Sequence, residues 1–378
     1  MRIGILTLPL HANYGGILQA YALQTVLERM GHEVRVFHRD YISGTNIVVW
    51  KYPLILGKRL ADKLLVDKRT QLLLERIRRK ENPIICQNTN RFIDTYIHTY
   101  KVAHLSDIPS DAFDCIVVGS EQVWRPGYFQ KMWKAEISDA FLKFAKGWNI
   151  KRVAYAASFG VDDWLYKPSV TVECKELIKM FDGISVREDS AVNLCSEHFG
   201  LTPKHVLDPT MLLTADDYIN LIEKAGIQKS PGTLYNYILD ENDAKRHLVK
   251  RIAEESGMIP FWVNKNSHDK YSPIENRIIP SVEEWLRGFY DAEFVVTDSF
   301  HGCVFSIIFG KPFVAIGNVS RGISRFNSLL KQLDLDNHLI KDLNVFPSFV
   351  SCGLPCGLEK KLISLQRMCN DFLIRFLQ

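Results

Sequence analysis

The chain has 378 residues, a length that predicts two domains of ordinary size. Its hydrophobic fraction of 47% is enough for packed cores and excludes a disordered protein. The net charge of +4 comes from scattered basic residues, which favours solvated surfaces, so no nucleic-acid partner is expected. No stretch approaches the roughly 20 apolar residues of a membrane span, and the N-terminus is more typical of a first strand than of a signal peptide.

Strand and helix patterns alternate from the start of the chain. The first strand, helix and strand form a βαβ unit, which predicts a parallel sheet with a right-handed crossover. In the N-terminal half, the patterns predict strands over residues 2–8, 33–38, 114–118, 153–157 and 183–186, and helices over residues 16–30, 170–181 and 190–198.

Residues 41–105 interrupt this alternation and are interpreted as an irregular excursion from the first sheet. Within them, residues 59–80 predict a basic helical segment that also carries several leucines. A helix packed on its own protein is the common outcome for such a segment. The alternative is a helix that rests on a membrane surface.

A break near residues 200–203 separates a second alternating series from the first. The predicted fold class is therefore α/β, with two Rossmann-like domains that face a cleft. The domains are predicted over residues 1–200 and 201–345, followed by a C-terminal linker and helix over residues 346–378. After the break, the patterns predict strands over residues 233–239, 258–263, 293–297 and 312–316, and helices over residues 243–256, 282–290 and 358–377.

The eight cysteines are irregularly spaced, and several, such as Cys115 and Cys303, lie within apolar runs. We expect small buried hydrophobes in a reduced cytosolic protein rather than a disulfide framework. Cys352 and Cys356 have no second pair or histidine at metal-ligand spacing. No metal site is predicted.

Open parallel sheets bind ligands at the carboxyl ends of their strands, where this chain has unusual polar turns. The most informative turn is Asp298-Ser299-Phe300-His301-Gly302, between an apolar strand and an apolar helix. It is expected to place His301 beside backbone N–H groups and the positive end of a helix dipole. Such a position suits an anion with a titratable group next to it. Arg321 and Arg325 follow the next strand and could reach the same anion.

Five other turns follow predicted strands, and each has a functional and a structural interpretation. Paired glycines after the first strand allow close backbone approach, and an arginine after a buried strand suits phosphate or carboxylate. The structural alternatives are a tight turn without ligand, a capped helix with its tryptophan in the core, a surface ion pair and an interdomain hinge. The turns are residues 11–16, residues 118–126 with Trp124, residues 155–160, residues 184–189 with Arg187, and residues 207–210.

The ordered series Asn-Tyr-Gly-Gly, Gly-Ser-Glu-Gln-Val-Trp, Tyr-Ala-Ala-Ser-Phe-Gly, Ser-Val-Arg-Glu, Leu-Asp-Pro-Thr and Thr-Asp-Ser-Phe-His-Gly resembles the polysaccharide pyruvyl transferase family over about residues 1–330. The resemblance implies a two-domain fold like that of GT-B glycosyltransferases. It also implies an enzyme that transfers a pyruvyl group from phosphoenolpyruvate onto two hydroxyls of a sugar. The product would be a pyruvate ketal on a cell-surface polysaccharide or its precursor.

The resemblance also implies roles for residues and partners. Phosphoenolpyruvate would be the donor substrate, with no cofactor, and a glycan or lipid-linked oligosaccharide would be the acceptor. The expected location is cytoplasmic, with peripheral contact at the inner face of the membrane as an open alternative. By resemblance, the catalytic residue is His301, the donor-binding residues are Arg187, Ser299, Gly302, Arg321 and Arg325, and the acceptor-binding residues are Asn13, Tyr14, Gly15, Gly16, Ser120, Gln122, Trp124 and Ser158.

One position departs from the family's pattern. Some members have an arginine two residues before this histidine, where this chain has Ser299, and Arg321 and Arg325 are the candidates to supply the charge. Two other functions stay open. One is a glycosyltransferase that uses a nucleotide-sugar donor in the same fold, and the other is a non-catalytic glycan-binding relative.

Overall fold

The computed structural model describes residues 1–40, 52–68, 71–263, 269, 271–317, 322–340 and 354–378. Within these residues the chain forms two separate sheets, and every strand pairing in them is parallel. The predicted fold class, α/β with two Rossmann-like domains, is confirmed. Arg321, Cys352 and parts of the predicted excursion, at residues 41–51 and 69–70, lie outside the described residues.

The first sheet has the strand order β3-β2-β1-β4-β5-β6-β7. Its central strands are almost continuously apolar because helices cover both faces of a parallel sheet. Ile3 and Ile5 face one core, whereas Ile116 and Val118 face the other. The strands are β1 Arg2–Leu6, β2 Glu33–His38, β3 Thr99–Lys101, β4 Cys115–Gly119, β5 Lys151–Ala157, β6 Gly183–Val186 and β7 Lys204–His205.

The second sheet has the strand order β12-β11-β10-β8-β9. Its middle strand, β10, is buried along its whole length and pairs with β8 on one side and β11 on the other. The strands are β8 Leu234–Tyr237, β9 Pro260–Phe261, β10 Phe294–Thr297, β11 Phe313–Ile316 and β12 Leu339–Ile340.

Each sheet has a point at which the strand order reverses, and ligands of such sheets bind there. In the first sheet this point lies between β1 and β4, and in the second it lies between β8 and β10. The turns that follow β1, β4 and β10 are the ones that contain Asn13, Ser120 and His301. Topology therefore selects three of the six predicted turns as ligand-binding candidates.

Helices connect the strands and fill the space on both faces of the sheets. Gly31 ends the first helix in the left-handed conformation, at a φ of 87°, as the sequence predicts. The helices are α1 Tyr14–Arg29, α2 Tyr52–Leu65, α3 Leu74–Ile85, α4 Gln87–Tyr96, α5 Pro126–Trp133, α6 Pro168–Ile178, α7 Asp189–Phe199, α8 Ala215–Lys224, α9 Asp243–Ser256, α10 Val282–Asp291, α11 Phe300–Ile308, α12 Ile323–Gln332 and α13 Leu358–Leu377.

Three helices differ in their bounds from the sequence pattern. Helix α1 begins at Tyr14, so Gly15 and Gly16 lie in its first turn rather than in a preceding loop. Helix α11 begins at Phe300, which puts His301 in a helical turn as well. The basic segment predicted over residues 59–80 is divided between α2 and α3.

The two sheets share one apolar core, which explains why the domains lie against each other. Tyr14 of α1 stacks on Trp285 of α10 with ring centroids 5.2 Å apart, and its hydroxyl donates to the Pro280 carbonyl. Helix α13 returns to the first sheet, where Phe372 packs against Tyr155. Strand β7, which pairs with β6, lies past residue 200, where the domain boundary was predicted.

Buried cysteines agree with the expectation from their apolar neighbours. Cys115 and Cys303 are fully buried and free. Burial raises the pKa of Cys115 to about 12, so it is an apolar group at neutral pH. No helix in the described ranges has the length and apolar character needed to cross a membrane.

The shared core makes a prediction about Trp285, which is fully buried between the domains. Changing Trp285→Ala should lower the free energy of unfolding by about 3–5 kcal/mol, because the cavity has no nearby group to fill it. Urea unfolding followed by circular dichroism would measure this. Trp262→Ala is the matched control, since that ring is 67% exposed and its loss should change stability by about 0.5 kcal/mol or less. Equal effects of the two substitutions would contradict the shared core.

Candidate active site

Turns from both domains meet in one buried group of charged side chains, which we call the interdomain cluster. Its first-domain members follow β4, β6 and β7, and its second-domain members lie at the starts of α11 and α12. All of its members are buried. The interdomain cluster consists of Glu121, Arg187, Glu188, Asp208, His301 and Arg325.

Asp208 is the central carboxylate of the interdomain cluster, with a fully buried side chain. Its Oδ2 accepts a 2.9 Å hydrogen bond from Arg187 Nη1 and another from the Gln19 amide. Its Oδ1 accepts from the backbone N–H and the hydroxyl of Thr210, at 3.1 and 2.7 Å. Burial opposes ionisation, but the charges of Arg187 and His301 together with these hydrogen bonds hold the pKa of Asp208 below its usual range.

Arg187 lies among three carboxylates, with a side chain that is only 2% exposed. Besides Asp208, its guanidinium is 3.8 Å from Glu188 Oε2 and 4.0 Å from Glu121 Oε2. Burial disfavours the charge, yet these carboxylates raise the pKa of Arg187 above its ordinary value. Among the described residues, its Nε and Nη2 have no hydrogen-bond partner. The structure therefore replaces the predicted surface pairing with a buried ion-pair network.

Glu188 organises the turn that follows β5. Its Oε1 accepts hydrogen bonds from the Ser158 hydroxyl and from the backbone N–H groups of Phe159 and Gly160, at 2.9, 3.0 and 3.1 Å. Its Oε2 faces Arg187 without a hydrogen bond. One carboxylate thus fixes the third predicted turn beside the interdomain cluster.

His301 lies in the first turn of α11, and its Nε2 is 3.8 Å from Asp208 Oδ2. This Nε2 is buried and has no hydrogen-bond partner. Burial lowers the pKa of His301 below its ordinary value, although Asp208 and Glu121 act in the opposite direction. The imidazole is therefore neutral near pH 7 in this arrangement and becomes charged only when further negative charge comes close.

Arg325, on α12, approaches from the side of the second domain. Its guanidinium lies 5.5 Å from the centre of the Phe300 ring, and the Arg187 guanidinium lies 4.9 Å from the same ring. Burial and the nearby charge of Arg187 lower the pKa of Arg325 to about 10. Two cations that disfavour each other and lie near one ring are a suitable place for an anion.

Backbone groups add to this electrostatic setting. Asn13 and Ser299 are the N-cap residues of α1 and α11. Neither side chain accepts a hydrogen bond from the N–H groups of its helix. Helix N-termini with available N–H groups favour anions. Ser120 and Glu121 have φ values of 40° and 27°, a strained conformation of the kind that recurs at functional sites.

Close packing joins the two helix N-termini. The Cα of Gly15 lies against the imidazole of His301, and a Cβ at this position would overlap the ring. At Gly16 the nearest atom to an added Cβ would be Asn13 Nδ2, at 3.2 Å. Only glycine allows this approach at residue 15, which gives the first predicted turn a definite role in placing the histidine.

Some predicted acceptor residues reach the interdomain cluster. Asn13 donates a 2.7 Å hydrogen bond to Glu121, and Ser158 donates to Glu188. Gln122 lies further from the interdomain cluster, where its side-chain oxygen accepts a 2.7 Å hydrogen bond from Arg125. Ser120 is buried at the end of β4. A small cavity of about 20 Å³ lies beside these turns, lined in part by Asn13, Gly16 and Glu121.

Other predicted residues lie elsewhere. Trp124 is fully buried, stacks on Phe141 with centroids 5.0 Å apart and donates to the Ala140 carbonyl, which is the core position given above as the structural alternative. The Tyr14 side chain points to Trp285. Ser299 and Gly302 lie at the start of α11, with Gly302 packed on Thr297. Arg321 lies outside the described residues.

Three carboxylates of the interdomain cluster, Glu121, Glu188 and Asp208, were not among the predicted site residues. Each lies in a turn that the sequence did single out, and each immediately follows or nearly follows a strand. Their position after buried strands was the available signal, because a carboxylate there must find a cation or a donor. Among the described residues, no group of three or more histidine, cysteine or acidic side chains is arranged to hold a metal ion.

The chain belongs to the class of α/β proteins with a polar, charged site between two parallel sheets, at the strand ends where ligands of such sheets bind. Within that class, the model of the polysaccharide pyruvyl transferase family matches residues 13–321, and the chain belongs to this family. The comparison of this chain with curated proteins found no match.

Several solved structures are similar in outline. UDP-GlcNAc 2-epimerase from Neisseria meningitidis bound to UDP-GlcNAc is 10% identical, with a TM-score of 0.48 and coverage of 100% of this chain and 99% of that chain. E. coli heptosyltransferase WaaC with ADP is 11% identical, with a TM-score of 0.38 and coverage of 86% and 90%. A glycosyltransferase from Rickettsia africae is 12% identical, with a TM-score of 0.43 and coverage of 100% and 94%. TM-scores this low support no conclusion about this chain.

The contact between Gly15 and His301 makes a prediction that two neighbouring glycines can test. Gly15→Ala should displace the imidazole and lower the free energy of unfolding by about 1–3 kcal/mol, as overpacking does. Gly16→Ala should stay within about 1 kcal/mol of the parent, because alanine favours the helix and the 3.2 Å contact needs only a small shift. Urea unfolding and the NMR shifts of the His301 ring would compare them. Equal ring shifts in both variants would argue against the contact.

Proposed function

We propose that this chain transfers a pyruvyl group from phosphoenolpyruvate onto two hydroxyls of a sugar, forming a pyruvate ketal on a cell-surface polysaccharide or its precursor. The observation that carries the proposal is the interdomain cluster, in which a histidine lies beside two buried guanidiniums at the junction of the domains. Membership of the pyruvyl transferase family supports the reaction type.

The donor has two anionic groups, a phosphate and a carboxylate, that need separate cations. Arg187 and Arg325 supply two cations near Phe300, and the N-termini of α1 and α11 supply N–H groups nearby. The unpaired Nε and Nη2 of Arg187 are donors that such an anion would satisfy. Ser299 and Gly302 belong to this donor side because they lie at the start of α11.

His301 is the proton carrier in this proposal, because its ordinary pKa lies nearest to neutrality in the interdomain cluster. The donor's negative charge favours the imidazolium, which gives its proton to C3 of phosphoenolpyruvate and leaves a cation-like centre at C2. A sugar hydroxyl attacks C2 and returns its proton to the neutral ring. A second hydroxyl then displaces the phosphate from C2, and its proton departs on the phosphate as hydrogen phosphate, which completes the ketal.

The acceptor is assigned to the turns that follow β1, β4 and β5. Asn13, Gln122 and Ser158 are polar groups there, and Glu121 Oε2 is a buried acceptor without a hydrogen-bond partner, which suits a sugar hydroxyl. Gly15 and Gly16 contribute through close backbone approach, and Ser120 through the strained turn that aims Glu121. The proposed location is the cytoplasm, where the donor would be supplied.

The first test is isothermal titration of the parent chain with phosphoenolpyruvate. His301→Gln and Arg325→Gln should weaken the affinity about tenfold to hundredfold, as the loss of a hydrogen bond to a charged group does. Thermal unfolding of each variant would check that a loss of affinity is not a loss of folded protein. Arg246→Gln is the control, since Arg246 is exposed and pairs with Asp243. Binding of nucleotide sugars in place of phosphoenolpyruvate would favour a glycosyltransferase.

The proton chemistry has its own test in the titration of His301 by NMR, with His301→Gln to assign the resonance. In the free protein the midpoint should lie below 6.5, because burial lowers the pKa of this ring. Phosphoenolpyruvate should raise the midpoint, since its charge stabilises the imidazolium. The ring should therefore take up a proton on donor binding at pH values between the two midpoints. A midpoint that stays fixed while calorimetry shows binding would exclude His301 as the proton carrier.

A further inference from the structure

Helix α2 presents its apolar side chains to solvent. None of its residues is buried, and Leu54, Leu64 and Leu65 are 70%, 72% and 83% exposed. Val66, just past its end, is also exposed. An amphipathic helix of a soluble domain normally turns its leucines inward, so this orientation needs a partner outside the described chain.

The exposure is concentrated in one part of the molecule. Of the eighteen large hydrophobic residues that are exposed in the described chain, seven lie within residues 52–85. Scattered exposed hydrophobics are ordinary, but a cluster of this kind marks an interaction surface. The seven are Leu54, Leu60, Leu64, Leu65, Val66, Leu73 and Ile84.

Polar contacts fix the inward side of α2. Arg59 donates to Glu75 at 2.8 Å and to the Leu72 carbonyl at 3.0 Å, which ties α2 to the start of α3. Asp67 accepts a 3.0 Å hydrogen bond from the Tyr271 hydroxyl of the second domain. These bonds hold the helix with its leucines outward, so the exposed stripe is a property of the fold rather than of a detached segment.

The charge around the stripe is positive. Successive residues of an α-helix are rotated by about 100° around its axis. The leucines from Leu60 to Leu65 therefore span an arc of about 140°. Lys58 lies just beyond one edge of this arc, and Lys63 lies beyond the other. Residues 52–85 contain nine lysines and arginines against four carboxylates, a net charge of +5, whereas the whole chain carries +4. The positive charge of the chain is therefore concentrated in this excursion.

We propose that α2 docks on the surface of an anionic lipid bilayer, with its leucine stripe among the acyl chains and its lysines at the headgroups. An apolar face bordered by cations is the pattern of helices that lie in a membrane interface. Long lysine side chains reach the headgroups while their stems cover apolar surface. A second copy of the chain would bring like charges together, which disfavours it as the occupant. This inference does not depend on the proposed reaction.

The test is flotation of the full chain with vesicles of phosphatidylcholine alone or with about one-third phosphatidylglycerol. The parent should partition into the anionic vesicles, and high salt should weaken the partition. The double variant Leu64→Glu with Leu65→Glu should lower the partition coefficient at least about tenfold, because it places charge in the apolar stripe. Both positions are exposed, so the melting temperature should stay that of the parent.

Val172→Glu is the matched control, since Val172 is 64% exposed on α6, away from the excursion, and should leave partition unchanged. An equal loss in the control and the double variant would overturn the proposal, as would no vesicle binding by the parent. A parent that sediments as a dimer, with the dimer lost in the double variant, would assign the stripe to a second copy instead. None of these measurements uses donor or acceptor, so failure here is separate from failure of the proposed reaction.

Discussion

The interdomain cluster is built around the buried pairing of Arg187 with Asp208, two residues that follow neighbouring strands of the first sheet. Both side chains are almost completely withdrawn from water, and a buried charge that loses its partner costs about 3–5 kcal/mol. Asp208 follows the last strand of the first sheet and also faces His301 of the second domain. Besides Arg187, three further donors, one from Gln19 and two from Thr210, fill its oxygens. A carboxylate of the first domain thus faces the histidine of the second.

The charges of the interdomain cluster connect donor binding to proton transfer. The described members comprise three carboxylates and two guanidiniums, with a neutral imidazole between them. An incoming dianion adds negative charge to a set that already has an excess of it. In the proposed reaction, protonation of His301 would compensate that charge and supply the proton that C3 of an enol phosphate needs. Binding of the donor and protonation of the acid would then be one electrostatic event.

The sequence predicted the strands and helices of both sheets well because buried parallel strands are nearly continuous apolar runs bounded by turns. It singled out His301 and Arg187 since both follow buried strands. It did not predict that Asp208 would join them, because that contact depends on how the domains pack rather than on spacing along the chain. Trp124 was misleading for a similar reason, since a tryptophan beside polar residues has the same local pattern in a site and in a core. For the basic segment with its leucines, the sequence left packing on the protein and contact with a membrane both open, because a leucine-rich pattern does not say which face turns inward.

Ser299 stands where some relatives have an arginine, and the geometry around Phe300 shows how this chain manages without it. Phe300 lies between Ser299 and His301 in sequence, and two guanidiniums from other elements lie 4.9 and 5.5 Å from the centre of its ring. Arg187 belongs to the first domain and Arg325 to the second, so the cations that would hold a donor are brought together only by domain packing. A ligand that bridges them gains both contacts only in the closed arrangement, and by linkage it must stabilise that arrangement. Because the cations of the proposed donor site come from both domains rather than from α11, donor binding and interdomain packing would depend on each other.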